Sequence, residues 1–336
     1  NCLINKNKNV FYMKKIQIVT GAAGFVGFSV SLSLLKKGNN IIGIDNVNNY
    51  YDTLIKKKRI SILKKYKNFQ FLKIDLNDLN KLKYNLNSYN IEKVFHFAAQ
   101  AGVRHSINHP EEYVSNNLVA TFNILEFCRK KKIGRLIFAS SSSVYGKTNS
   151  KKIKENNNTD RPLQFYAATK KSCELMAHSY SSMYNIKTTV LRFFTLYGPW
   201  GRPDMALFKF TKSILENKYI EVYNNGKHTR DFTYIDDAVD AIIKTGNEKL
   251  SPKENFKIYN IGNGKPVKLM HYISLIENKL KIKAKIKYFP MQKGDVEGIL
   301  SDNTKIKKLK TFNQSKIDVE TGVNRFIDWF RAYHKI

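Results

Sequence analysis

The stretch that decides the fold is Lys15–Gly27, which reads KIQIVTGAAGFVG. Its first six residues are mostly apolar and partly β-branched, and this pattern predicts a buried strand. Three glycines follow, and an amphipathic run then ends at Gly38. Glycines let a backbone turn tightly and approach a pyrophosphate, which then lies on a helix N-terminus. We therefore expect this loop to bind a dinucleotide, through Gly21, Gly24, Phe25, Val26 and Gly27.

An acidic residue follows the next strand at the expected distance. The apolar run Ile41–Ile44 ends in Asp45, which lies 24 residues after Gly21. A carboxylate about 20 residues beyond such a glycine loop holds a ribose 2′-hydroxyl. Because the same carboxylate repels a 2′-phosphate, the sequence predicts NAD rather than NADP as the cofactor.

Strand and helix patterns alternate from Lys15 to about Tyr197, and the pattern then breaks into loops, short strands and helices. Further strands are predicted at Phe69–Ile74, Val94–Ala99, Leu136–Ser140 and Thr188–Phe194. Such alternation is typical of a parallel, doubly wound sheet. We expect an α/β chain with a disordered extension (residues 1–12), a Rossmann-type domain (13–197, to which some later segments return) and a smaller C-terminal α/β domain (198–336) that mainly binds substrate.

Composition points to a cytoplasmic enzyme. The 336 residues contain no apolar run of about 18 residues and no apolar signal-peptide core near the N-terminus. The three cysteines lack metal-ligand spacing, so no metal site is expected. The net charge of +31 is spread along the whole chain, which favours a solvated surface over a nucleic-acid-binding face. We therefore expect neither a nucleic acid nor a membrane as a partner.

Two motifs near the middle of the chain predict redox chemistry on an alcohol. Tyr166 and Lys170 are four residues apart, so on a helix they share one face. An ammonium close to a phenol favours the phenolate, which can take a proton from an alcohol while a hydride leaves its carbon. The run SSSSVYG, Ser140–Gly146, supplies a hydroxyl that can share the substrate's hydrogen bond.

The chain resembles the extended short-chain dehydrogenases and, within them, the nucleotide-sugar epimerases, above all the UDP-glucuronate 4-epimerases. The resemblance extends from about Lys15 to Trp329. Beyond the motifs above, it rests on GIDNVNNYYD, FAAQAGVR, YAATKKSCELMAHSYS, LRFFTLYGPWGRPDMALF, NNGKHTRDFTYIDD and MQKGDV. The GPWGRPDMA segment separates this group from plain UDP-glucose 4-epimerases.

The resemblance implies a role for each matching residue. It implies Tyr166 as the base, Lys170 as the residue that lowers its pKa and binds the nicotinamide ribose, and Ser141 as the catalytic hydroxyl. Contacts to the cofactor are implied for Asp45, Asp75, Leu76 and Ala98. Contacts to the substrate are implied for Arg104, Asn117, Arg230 and Asp295.

The substrate carboxylate needs its own partners. A ketone at C4 stands β to the C6 carboxylate, and β-keto acids lose carbon dioxide readily. Arg202 in GPWGRPD is a suitable fork for the carboxylate, and Ser142, Ser143 and Thr195 can add hydroxyl donors. Arg202 could instead pair with Asp204. Arg104 could equally be a charge that stabilises the fold.

Three functions remain open at this point. The first is NAD-dependent 4-epimerisation of UDP-glucuronate to UDP-galacturonate through a 4-keto intermediate. The second is a related enzyme: either an epimerase that acts on a neutral or N-acetylated UDP-sugar, or a dehydratase or decarboxylase. Dehydratases and decarboxylases commonly place an acid beside the catalytic hydroxyl, and no Asp or Glu directly follows Ser141. The third is a non-catalytic NAD sensor or nucleic-acid-binding protein, which the Tyr166–Lys170 pair argues against.

The sequence also departs from the family pattern. Glu297–Asp302 replaces the usual proline, threonine and aromatic residue, and His105 replaces an aromatic residue. We assign the histidines no role. A homodimer and a place in surface polysaccharide synthesis are implied by the resemblance alone.

Overall fold

The structure is a computed structural model that describes residues 14–148, 150, 152–251, 253–309 and 317–336. The expected disordered extension lies outside these residues. The chain divides into two compact units. The first contains the chain up to Ser140, then Gln164–Leu191 and Thr245–Ile258, and the second contains Ser141–Leu163, Arg192–Lys244 and Tyr259–Ile336.

In the described part of the chain, the main sheet has seven strands. Their bounds are β1 Ile16–Thr20, β2 Asn40–Asp45, β3 Phe69–Lys73, β4 Ile91–His96, β5 Arg135–Ser141, β6 Lys187–Phe193 and β10 Phe256–Ile261. In sheet order these strands are β10, β6, β5, β4, β1, β2 and β3. The pairs from β3 through β2, β1 and β4 to β5 are parallel. The predicted doubly wound sheet is therefore confirmed.

The direction of strand order reverses at β1. From β1 the chain builds outward to β2 and β3 on one side and to β4 and β5 on the other. Ligands of open α/β sheets bind beyond the carboxyl ends of the strands at such a reversal. The fold thus directs attention to the residues that follow β1, β2 and β4.

Helices and a buried core support this sheet in the first unit. The helices are α1 Phe25–Lys36, α2 Thr53–Leu63, α3 Leu79–Leu86, α4 His105–Asn108, α5 Pro110–Tyr113, a π-helix Val114–Val119, α6 Ala120–Lys130 and α7 Phe165–Tyr184. Strand residues such as Ile18 and Val94 pack against Leu82, Ile124 and Phe127 in one fully buried cluster. At about 25 cal/mol per Å² of apolar surface, this burial is the main driving force for folding.

The second unit contains shorter elements. Its strands are β7 Thr195–Tyr197, β8 Tyr219–Tyr223, β9 Thr229–Tyr234, β11 Pro266–Lys268, β12 Lys285–Phe289 and β13 Gly298–Ile299. Its helices are α8 Ala206–Leu215, α9 Ile235–Asn247, α10 Leu269–Leu280, α11 Thr304–Lys307 and α12 Val319–His334. The last residues of α9 belong to the first unit.

A buried carboxylate organises the second unit. Asp231, on β9, is 1% exposed and accepts hydrogen bonds from the backbone amides of Asn263 (2.7 Å), Gly264 (3.0 Å) and Ser301 (3.0 Å) and from the hydroxyl of Ser301 (2.6 Å). Burial raises the pKa of Asp231, and the four donors oppose that rise. These bonds join three separate chain segments at one point.

The units differ in extent from the predicted domains. The second unit already begins at Ser141, where β5 ends, and the chain re-enters the first unit at Gln164, just before α7. Sequence patterns do not show this because Lys147–Asn158, which lies inside this segment, reads as a surface loop. No helix among the described residues is long and apolar enough to span a bilayer.

Candidate active site

The loop after β1 leaves no room for a side chain at Gly21 or Gly27. Gly21 adopts a positive φ of 70°, which disfavours other residues. A Cβ on Gly27 would lie 2.1 Å from the carbonyl oxygen of Gly21. Helix α1 starts at Phe25, directly after Gly24, with no side-chain cap and no acidic residue in its first turn. Its first amides have no intrahelical acceptors, so this end of α1 can bind an anion.

Asp45 ends β2 beside this loop. Its carboxylate accepts hydrogen bonds from the amides of Ala23 (3.0 Å) and Val47 (2.7 Å). Burial raises the pKa of Asp45, whereas the two amides and the nearby cations Lys56 and Arg59 oppose the rise. A carboxylate has about four acceptor positions, so two remain for a ligand's hydroxyls.

The sequence analysis missed the residues that shape this end of β2. Val47 has a φ of +56°, a true outlier for a β-branched residue, and such strain is concentrated at functional sites. Fully buried Arg59 donates from Nη1 to the carbonyl oxygen of Ala23 (2.8 Å) and to the Tyr51 hydroxyl (2.9 Å). Lys56 donates to both oxygens of Asn48 (2.7 and 2.6 Å). Helix α2 thereby holds the loop that follows Asp45.

Asp75, Leu76 and Ala98 lie at the same edge of the sheet. Asp75 is exposed and accepts a hydrogen bond from the side chain of Asn46 (3.0 Å), the neighbour of Asp45. Leu76 is 5% exposed and packs in the core. The amide of Ala98 donates to Thr20 Oγ1 (3.1 Å) and lies against Gly21. The structure therefore brings the predicted cofactor-binding residues of β1, β2, β3 and β4 together.

A buried histidine, His96, forms hydrogen bonds to residues at the same edge of the sheet. His96 Nδ1 is 2.8 Å from Thr20 Oγ1, and His96 Nε2 is 3.1 Å from Thr121 Oγ1. Burial, together with the charge of Lys170, lowers the pKa of His96 to about 3. The ring is therefore neutral and serves as a hydrogen-bonded link between β1, β4 and α6.

Tyr166 and Lys170 occupy the first turns of α7, as predicted. Lys170 is 3% exposed, and its ammonium nitrogen lies 4.6 Å from the ring centroid of Phe138. Burial lowers the pKa of Lys170, and Cys173 and Glu174 oppose this effect. The half-buried ring of Tyr166 meets that of Tyr113 edge-to-face at 6.0 Å.

Asn117 joins the loop after β4 to the turn between these two residues. Its Oδ1 accepts from the amide of Gln100 (2.8 Å), and its Nδ2 donates to Thr169 Oγ1 (2.9 Å). Thr169 donates in turn to the carbonyl oxygen of Tyr166 (2.8 Å). Asn117 lies in the π-helix, a rare element that is frequent at functional sites. No residue pattern in the sequence predicts that element.

The serine run turns sharply at the end of β5. Ser142–Tyr145 form a 3-10 turn, for which the Ser141 side chain is the N-cap. The Ser141 hydroxyl lies 3.1 Å from that of Ser143 and accepts from the amide of Ser143 (3.2 Å). Ser142 and Ser143 are partly exposed, as is Thr195 at the start of β7.

Arg202 adopts the alternative arrangement that the sequence left open. Its Nε is 3.0 Å from Asp204 Oδ1, and its Nη2 bonds Asp204 Oδ2, so the pair is bidentate. Both side chains are about a quarter exposed. A role for Arg202 in holding the substrate carboxylate thus remains a prediction.

The segments of Arg230 and Asp295 meet in the second unit. Strand β13 pairs with β9 at Thr229 and Arg230, and Arg230 Nη1 donates to the carbonyl oxygen of Glu297 (3.0 Å). Asp295 Oδ2 lies 3.9 Å from Nε2 of buried His228. Arg104, in contrast, is exposed just before α4.

Comparison with known proteins identifies the family. Residues 17–262 match the NAD dependent epimerase/dehydratase family. The chain belongs to this family. It is 40% identical to the UDP-glucuronate 4-epimerase of Thermodesulfobacterium geofontis over 93% of this chain and 95% of that protein. It is 39% identical to the probable UDP-glucuronate 4-epimerase of Rhizobium meliloti over 93% and 96% of the two chains.

A solved structure extends the comparison to three dimensions. The crystal structure of UDP-glucuronic acid 4-epimerase from Bacillus cereus, in complex with UDP-glucuronic acid and NAD, is similar with a TM-score of 0.87. The sequences are 32% identical, and the match covers 95% of this chain and 100% of that one. The expected membership of the nucleotide-sugar epimerases is confirmed.

NAD fits the residues that this chain provides. Gly21 and Gly27 have no room for a Cβ in the loop where a pyrophosphate approaches, and Asp45 keeps acceptor positions beside it. A dinucleotide's phosphates and ribose hydroxyls need these two features.

Proposed function

We propose that this chain catalyses the NAD-dependent 4-epimerisation of UDP-glucuronate to UDP-galacturonate. The observation that carries the proposal is the pair Tyr166 and Lys170 on α7, with Lys170 buried, in a chain about 40% identical to a UDP-glucuronate 4-epimerase over nearly its whole length. The enzyme is an isomerase, and its substrate belongs to the nucleotide sugars.

The first unit binds the cofactor in this proposal. Gly21, Gly24 and Gly27 approach the pyrophosphate, the amides of Phe25 and Val26 face it, and Asp45 accepts from the adenosine ribose. Asp75 and Leu76 contact the adenine, and Ala98 borders the loop. When bound, NAD supplies an acceptor for the hydrogen on C4 and returns it. Because each turnover restores the cofactor, no external oxidant is needed.

Tyr166 is the acid–base residue. It takes the proton of the C4 hydroxyl as the C4–H bond breaks, and it returns the proton when the opposite face is reduced. Lys170 provides positive charge beside it and binds the nicotinamide ribose. Ser141 hydrogen-bonds the same sugar oxygen. Asn117 positions Tyr166, because its amide fixes the helical turn through Thr169.

The second unit grips the nucleotide in this proposal. Arg230 and Asp295 bind the diphosphate and the ribose, so the planar 4-keto sugar can rotate about its bond to the diphosphate. Inversion at C4 follows from that rotation. Arg104 is proposed as a further substrate contact.

The carboxylate of the sugar must not align its C–C bond with the C4 ketone. We assign this task to Arg202, with hydroxyls from Ser142, Ser143 and Thr195. Asp204 fixes the plane of the guanidinium, which carries five donors in all. Arg202→Ala is then expected to lower activity on UDP-glucuronate more than activity on UDP-glucose. An equal loss on both substrates would remove Arg202 from this role.

The test of the function needs no added cofactor. Purified protein is incubated with UDP-glucuronate, and the products are separated by chromatography. UDP-galacturonate is the expected product, with deuterium placed at C4 retained in it. A UDP-pentose or a keto sugar would indicate a decarboxylase or dehydratase, and no conversion would contradict the proposal.

We also propose a cytoplasmic homodimer that supplies surface polysaccharide synthesis. Helices α6 and α7 lie side by side, since Tyr180 donates to Glu126 (2.9 Å). They carry exposed apolar side chains, including Phe122, Leu175 and Met183. Light scattering is expected to give twice the chain mass, and Leu175→Lys is expected to reduce it. A monomer at micromolar concentration would contradict the dimer.

A further inference from the structure

Two histidines and a glutamate meet outside the site described above. A ligand atom from each of His105, His109 and Glu112 lies within 4.8 Å of the other two. His105 Nε2 is 3.1 Å from Glu112 Oε2, and the two imidazole rings stack at 4.3 Å. The sequence analysis assigned these histidines no role, because their spacing matches no ligand pattern. The fold brings them together through the turn between α4 and α5.

The surrounding groups suit a cation. Glu111 Oε1 lies 3.8 Å from His109 Nδ1, so a second carboxylate lies next to that ring. Glu111 and Glu112 thus place two carboxylates beside the imidazoles on a chain whose net charge is +31. The side chains of His105, His109 and Glu112 are 25%, 48% and 40% exposed, so an ion can reach them from solution.

We propose that His105, His109 and Glu112 form a binding site for a divalent transition-metal ion such as Zn²⁺. Two imidazoles and one carboxylate are a ligand set that zinc accepts, whereas Mg²⁺ and Ca²⁺ prefer oxygen ligands alone. Ligands about 2.0–2.2 Å from a tetrahedral zinc ion are separated by about 3.4 Å. The 3.1 Å between His105 Nε2 and Glu112 Oε2 is already close to that value. The ligand atom of His109 lies within 4.8 Å of the other two, so a small side-chain rotation brings it in.

The ion acts as a clip on the loop that follows β4. His105 packs on Tyr50 (4.9 Å) and near Tyr113 (6.1 Å). The Tyr113 hydroxyl donates to the carbonyl oxygens of Ala101 (3.0 Å) and Gly102 (2.5 Å). A bound ion therefore joins α4 to α5. Tyr113, on α5, in turn holds Ala101 and Gly102 in the loop that precedes α4. The ion stabilises the folded chain because the unfolded chain has no preformed site.

The test uses the NAD-loaded protein after treatment with a chelator. Co²⁺, a spectroscopic substitute for Zn²⁺, is titrated in, and the visible d–d absorption is recorded. One equivalent is expected to bind, and His109→Gln and Glu112→Gln are each expected to weaken binding at least tenfold. Zn²⁺ at about 100 times its Kd is expected to raise the unfolding midpoint by about 4 °C.

His271→Gln is the matched control, since His271 is exposed on α10. It is expected to bind Co²⁺ like the unaltered protein. Equal binding by all four proteins, or an unaltered protein that binds no Co²⁺, would overturn the site. Thermal unfolding without metal separates loss of a ligand from loss of folding, because His109→Gln and Glu112→Gln are expected to keep the metal-free midpoint.

Discussion

Asp45 and Asp231 are both buried enough to raise their pKa values, yet their surroundings differ in one respect. Asp231 accepts four hydrogen bonds from its own chain and is 1% exposed. Among the described residues, Asp45 accepts two, at the end of a strand beside a loop whose glycines Gly21 and Gly27 have no room for a Cβ. A carboxylate has about four acceptor positions, so Asp231 is saturated and Asp45 is not.

The difference separates a residue that maintains the fold from one that awaits a ligand. Saturation by Asn263, Gly264 and Ser301 makes Asp231 the junction of three segments, and nothing is left for a ligand. Asp45 keeps open acceptor positions, and the nearby charges of Lys56 and Arg59 favour its ionised form. The two carboxylates should therefore fail in opposite ways.

Replacing Asp231 should give the largest effect, and on stability alone. Asp231→Ala leaves four buried donors without their acceptor, so the free energy of unfolding is expected to fall by about 3–5 kcal/mol. Urea denaturation of the NAD-free protein measures this loss. Asp328→Ala, at an exposed ion pair with Lys279, is the control and should cost no more than about 0.5 kcal/mol. An equal loss of unfolding free energy in Asp231→Ala and Asp328→Ala would contradict the structural role of Asp231.

A substitution in the glycine loop should lower NAD affinity, in contrast to the loss of stability expected at Asp231. Gly27→Ala places a Cβ 2.1 Å from the carbonyl oxygen of Gly21, so the loop must open. We expect NAD affinity, measured by calorimetry on cofactor-free protein, to fall by at least about 100-fold. Gly134→Ala is the matched control, since its Cβ meets nothing within 4 Å. Unchanged NAD affinity in Gly27→Ala would show that the cofactor does not approach this loop.

Asp45→Asn tests the open positions themselves. The amide cannot accept as the carboxylate does, so we expect NAD to bind about 10–30-fold more weakly and the preference for NAD over NADP to narrow. The free energy of unfolding without cofactor should change by only about 1 kcal/mol. A large loss of stability with normal NAD binding would show that Asp45, like Asp231, maintains the fold and does not bind the cofactor.

A partly exposed carboxylate, Glu126 on α6, has the smallest expected effect in this comparison. Glu126 pairs with Arg129 through both oxygens (2.7 and 2.8 Å), and this pair lowers its pKa to about 2. The folded-state pKa lies below the unfolded value near 4.5, so the stabilisation is present above about pH 4.5 and is lost as the pH falls toward 2. Glu126→Gln should cost at most about 1 kcal/mol at pH 7 and less at about pH 3. A cost independent of pH would contradict the ion pair.

The sequence predicted the sheet because its strands are short apolar runs between glycines and polar turns. It predicted the glycine loop, Asp45 and the helical position of Tyr166 and Lys170 because local spacing alone determines them. These features depend on the backbone and on residues close in sequence.

The features that the sequence missed depend on residues far apart or on a choice between partners. Arg59 reaches Ala23 only after α2 packs, and Asn117 reaches Thr169 only through a π-helix. Arg202 had two candidate partners, and spacing could not rank a neighbouring aspartate against a substrate. The meeting of His105, His109 and Glu112 likewise depends on a turn between two short helices.

The proposed mechanism depends on Tyr166 as the acid–base residue at C4, and Tyr166→Phe tests it most directly. We predict that kcat for UDP-glucuronate falls by about 10²–10⁴-fold. Bound NAD and the circular dichroism spectrum should stay unchanged, and Tyr184→Phe, at the far end of α7, should keep full activity. A Tyr166→Phe protein that turns over its substrate as fast as the unaltered enzyme would contradict the mechanism.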